Sequence, residues 1–101
     1  MDELQTWLSM QHNGVKTYVV FRDKALQLAA TQEENAALLH LLAALADRFI
    51  YSYDESPLPV DVADRAFVRL KALVQKGAQS IIASDADKVA LLNEIARTEL
   101  G

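Results

Sequence analysis

The sequence predicts an α+β domain in which a short N-terminal antiparallel β-meander packs on three helices. Three observations predict it. Asn13-Gly14 sits between apolar runs, residues 15–21 are rich in β-branched and aromatic side chains, and three later segments repeat apolar residues at helical spacing. An all-α bundle of four or five helices is the alternative for the same chain.

The meander rests on register. If Asn13-Gly14 forms a two-residue turn, Leu8 faces Val19 and Thr6 faces Phe21. If Asp23-Lys24 forms the next turn, Phe21 faces Leu26 and Val19 faces Leu28. Both turns put the same side chains of the middle strand on one face, as pairing demands. That face reads Leu8, Met10, Val19, Phe21, Leu26 and Leu28, apolar and ready to meet helices. A helix over residues 15–30 is the competing drawing, and the helix-leaning composition of residues 25–30 favours it. Two features oppose it. Arg22 falls inside the apolar arc, and a helix continuing in frame to residues 33–50 turns its two apolar faces roughly 150° apart. Breaking it into two helices leaves only Thr31 as a connection, where 2–8 residues are common.

The first predicted helix spans residues 32–51. Thr31 and Glu34 have the spacing of a capping box, each side chain meeting an otherwise unpaired amide. Leu38, Leu39, Leu42, Leu45, Ala46 and Phe49 then fall on one half of the helical wheel. Pro57 and Pro59 forbid a helix through the middle of the chain. The next helix starts near Asp61, buries Ala66, Phe67, Leu70, Leu73 and Val74, and reads as capped by Gly77. The last opens at Ser84, whose hydroxyl can accept from an amide one turn on, with Asp85 and Asp87 in its first turn.

A chain of 101 residues fits a single domain, residues 1–101. Its apolar share of 51% suits a packed core and excludes a disordered chain. The absence of cysteine excludes disulfides and thiolate metal sites and suits a reducing compartment. Met1-Asp2-Glu3 lacks the basic start of a secretory signal, and no apolar run is long enough to span a bilayer. A cytoplasmic protein without a membrane partner is the expectation.

No nucleophile elbow, phosphate loop or dinucleotide fingerprint occurs, and the three glycines stand apart. His12 and His40 have no metal-ligand spacing, and the acids Asp54, Glu55, Asp61 and Asp64 lack the alternation of a calcium loop. No cofactor, metal or catalytic residue is expected. Two surfaces stand out. One is the second face of the meander, where Trp7, Tyr18 and Val20 lie beside Lys16 and Arg22; tryptophan, tyrosine and arginine are enriched at protein-binding hot spots. The other is a basic stripe of Arg65, Arg69 and Lys76, within about 40° of one another on the wheel and suited to phosphates. A net charge of −4 disfavours nucleic acid. The expectation is a non-catalytic accessory or regulatory protein that binds another protein or itself, as a homodimer. A nucleic-acid-binding regulator using the basic stripe is the alternative.

Overall fold

A computed structural model of the chain describes residues 1–53, 56–79 and 84–100. These residues form five helices: α1 (Asp2–Ser9), α2 (Val15–Thr31), α3 (Ala36–Tyr53), α4 (Val60–Gln79) and α5 (Asp85–Arg97), with a 3-10 turn at Glu33–Asn35. No strand occurs among the described residues. The fold is all-α, and the α+β expectation with its N-terminal meander is overturned.

The meander fails at its first turn. A type I′ hairpin needs positive φ at both central residues. Gly14 instead sits at φ −75°, ψ 160° and starts α2, and no described residue has positive φ. Asn13 donates from its side-chain amide to Asp64 of α4, 2.6 Å away, so the α1–α2 connection is tied to α4. The predicted second turn, Asp23-Lys24, lies within α2.

The two objections to a helix at residues 15–31 have structural answers. Gln32 leaves the helical region at φ −117°, ψ 81°, and the 3-10 turn follows, so α3 starts at Ala36 in a new frame. Residues 32–35 supply the connection that Thr31 alone could not. Thr31 is no cap: its hydroxyl donates back to the Leu28 carbonyl, 3.2 Å away. Arg22 emerges from the edge of the apolar arc and donates to Asp47 at 2.8 Å and to Asp23 at 3.2 Å. Bonds to Asp47 and Asp23 raise its pKa further and hold the charge.

α2 and α3 form an antiparallel hairpin in which Ala25, Ala29, Ala43 and Ala46 are buried, small enough for a close helix approach. Tyr18 of α2 stacks on Phe49 of α3, centroids 4.4 Å apart, and meets Phe67 of α4 edge-on at 6.4 Å. α1 buries Met1, Leu4 and Leu8 and runs antiparallel to α4, with Met1 by Gly77 and Asn13 by Asp64. α5 lies antiparallel to α4, tied by Lys76–Glu94 at 2.8 Å, and alongside α3, where Arg48 donates to the Thr98 carbonyl at 3.3 Å.

Gly77 does not end its helix. α4 runs on to Gln79, and a Cβ at Gly77 would stand 2.7 Å from Met1 Cε and 3.1 Å from Leu38 Cδ2. Its role is close packing, the use of glycine where two chains meet. Ser84 caps α5 as predicted, accepting from the Asp87 amide at 3.2 Å. Whether a helix continues past Gln79 to residue 83 lies outside the described residues.

Candidate functional site

Helical geometry redistributes the residues that a sheet would have aligned. At 100° per residue, Tyr18 and Arg22 share one side of α2 with the hairpin partner, while Val20, Lys24 and Leu28 share another. Tyr18 is fully buried in the core and presents nothing to a partner. Arg22 reaches over α3 to Asp47. Lys16 is exposed near the start of α2. The proposed face is thus divided: Trp7 and Val20 flank Lys24, and the other three point elsewhere.

Around Trp7 the structure forms an open cleft of about 320 Å³ between α1 and α2. Leu4 and Leu28 make its apolar floor, and Glu3, Gln27 and Thr31 its polar rim. Trp7 is half-buried, with the Lys24 ammonium 5.3 Å from the ring centroid. That cation–π contact orients the indole within the cleft, which Lys24 also lines. Glu3 accepts from Gln32 at 3.2 Å, which closes one end of the cleft against the start of the 3-10 turn. Lys24, Gln27 and Leu28 were not among the expected interface residues. Their signal was the i, i+3 and i, i+4 spacing of residues 20–28, visible once that segment is drawn as a helix.

The basic stripe is also divided. Arg69 and Lys76 line a groove of about 360 Å³ between α4 and α5, together with Arg97, which the sequence reading did not include. Both stripe residues serve helix packing there. Lys76 pairs with Glu94 at 2.8 Å, and Arg69 donates to the Glu99 carbonyl at 2.5 Å. Arg65 lies farther along α4 and approaches Asp61 at 3.8 Å. Lys71 instead sits over the Phe67 ring, 4.6 Å from its centroid.

His12 and His40 are exposed on separate elements. Asp61 and Asp64 are engaged by Arg65 and Asn13, and Asp54 and Glu55 lie outside the described residues. Among the described residues no group of three or more His, Cys, Asp or Glu side chains converges on a metal-sized site. No helix among them is long and apolar enough to cross a membrane. One buried polar atom is unaccounted for: the Tyr18 hydroxyl has no hydrogen-bond partner among the described residues, and burial pushes its pKa up. It sits among Phe49 and Phe67 in the core rather than in either open cleft.

No protein-family model matches the chain, and no curated protein or solved structure matches it.

Proposed function

We propose that this protein is a non-catalytic accessory or regulatory chain that binds another protein through the α1–α2 cleft. The observation that carries this reading is Trp7, half-buried over an open cleft and steadied by Lys24. An aromatic anchor with an apolar floor and polar rim is the anatomy of a binding hot spot. Because Lys24 already orients the indole, less side-chain freedom is lost on association. The partner that fits presents an apolar side chain into the floor beside a carboxylate for Lys24. A cysteine-free chain suits the reducing cytoplasm as the place of encounter.

Nucleic-acid binding through Arg65, Arg69 and Lys76 is the weaker reading, because Lys76 is paired with Glu94 of α5, Arg69 with the Glu99 carbonyl beyond its end, and the chain is acidic. One experiment separates the two. Wild-type protein and Trp7→Ala, matched for helicity by circular dichroism, are used to capture partners with and without nuclease. The reading expects a nuclease-resistant partner whose retention falls about 10-fold or more in Trp7→Ala, the scale of a hot-spot truncation. Equal retention by both proteins rejects the cleft. Retention that disappears with nuclease and with reversal of the three basic charges transfers the function to the stripe. As the sole tryptophan, Trp7 also reports engagement directly through its fluorescence.

A further inference from the structure

The outer surfaces of the helices are not alike. α4 turns Asp61, Asp64, Arg65, Arg69, Lys71 and Lys76 to solvent, with Val68 exposed among them. α5 also exposes Asp85, Asp87, Lys88 and Arg97, but leaves one broad arc with an uncharged middle. Leu91 and Ile95 point into the core, and the opposite arc, about 140° wide, carries Ala86, Val89, Ala90, Asn93 and Ala96. All five are exposed, Val89 by 54%. Beside this arc, half-buried Leu92 and Ala37 of α3 line a small hollow rimmed by Glu34 and Lys88. Only two charges stand on this arc, at its two ends and opposite in sign: Asp85 in the first turn and Arg97 in the last. Asp87, Lys88 and Glu94 fall outside it.

We propose that this face pairs with the same face of a second copy of the chain, the two α5 helices antiparallel about a two-fold axis between Ala90 and Asn93. A two-fold interface must be self-complementary, so that residue i meets j and j meets i. With the axis there, Asp85 of each copy stands by Arg97 of the other, and the uncharged middle meets itself. Antiparallel packing also sets each helix's positive end beside the other's negative end. A parallel pair would oppose Asp85 to Asp85 and Arg97 to Arg97. Arg97 donates from Nε to the Asn93 carbonyl at 3.3 Å, which lays it back along the arc. Alanines in the middle allow the two backbones to approach closely.

At 1.5 Å per residue the thirteen residues of α5 are about 20 Å long. With side chains this small the contact belongs to the weak, transient class of interfaces. Half-association is expected near about 100 µM. The surface lies on other helices than the Trp7 cleft, so the inference stands independently of the proposed function.

Sedimentation equilibrium of the full chain over roughly two decades of concentration around that value tests it. The wild type should show a reversible monomer–dimer equilibrium, and Trp7→Ala should leave it unchanged. Ala90→Arg, at an exposed helical position, places two cations at the axis and should abolish the dimer while helicity stays native. Asp85→Lys and Arg97→Glu should each weaken self-association about 5-fold or more, and an equal mixture of the two should restore it through opposite charges. If either charge variant loses helicity, Ala90→Arg still decides. A wild type that stays monomeric at every concentration overturns the proposal. So does a dimer that survives Ala90→Arg, or one that Trp7→Ala disrupts.

Discussion

α2 and α4 are both long helices on one core, but they are helical for different reasons. In α4 the buried residues Ala63, Ala66, Phe67, Leu70, Leu73, Val74 and Gly77 fall on one face, and the other carries six charged residues with Val68 exposed among them. In α2 the core takes Tyr18, Phe21, Ala25 and Ala29, while Val15, Val19, Val20 and Leu28 are half-covered and Leu26 is exposed by 40%. The apolar residues of α2 surround most of its circumference, because α1 and α3 pack against different sides of it. The composition of its first half, residues 15–21, leans towards strand, and burial overrides that leaning. Strand propensity spans only about 1 kcal/mol across residue types, whereas one buried aromatic contributes roughly 3 kcal/mol.

The largest effect should therefore come from the residue that anchors α2. Tyr18→Ala empties the space between Phe49 and Phe67 and is expected to cost about 3–5 kcal/mol, read from the urea midpoint. A cost below about 1 kcal/mol would mean that α2 holds its helix without this anchor.

Tyr18→Phe sharpens the same point in the other direction. Its hydroxyl is buried without a partner, so removing it should stabilise the protein by about 1 kcal/mol at neutral pH. The pH dependence follows from the raised pKa. The folded chain keeps a proton that the unfolded chain releases above about pH 10, so the unfolded state binds fewer protons there. Stability is whole below that pH and falls as pH rises past it. Tyr18→Phe should remove that part of the alkaline loss, measured by urea unfolding at neutral and alkaline pH. A mutant less stable than wild type would reveal an unseen partner for the hydroxyl.

The smallest effects compare the two helix starts. Ser84→Ala removes an observed cap from α5 and should cost about 1 kcal/mol. Thr31→Ala removes a hydroxyl that caps nothing in α3 and should change stability by less than about 0.5 kcal/mol. Thermal unfolding of the two variants side by side gives the contrast. A larger loss at Thr31 would restore the capping box that the 3-10 turn displaced.

The candidate site was legible only in part. Trp7 could be singled out from its type alone, and it lies half-buried against Lys24. Tyr18 could not be placed, since a strand turns it to one side of a sheet and a helix turns it into the core. The basic stripe was legible as a stripe. That Lys76 and Arg69 are occupied by Glu94 and the Glu99 carbonyl depended on where α5 packs.

By itself the sequence determined the three later helices, because their apolar period is local, and the Ser84 cap, but not the helix ends read at Thr31 and Gly77. It also determined the break at Pro57 and Pro59, where the backbone lacks two donors. Only the tertiary structure decided the first thirty residues. There a strand-leaning composition, an Asn-Gly pair and an awkward arginine all had local readings that agreed with a hairpin. Tyr18 and Phe21 bury fully only where α1, α3 and α4 meet around α2. Gly77 was decided in the same way, since a glycine near a helix end is a cap or a packing notch according to what lies against it. Met1 and Leu38, far away in sequence, lie against this one.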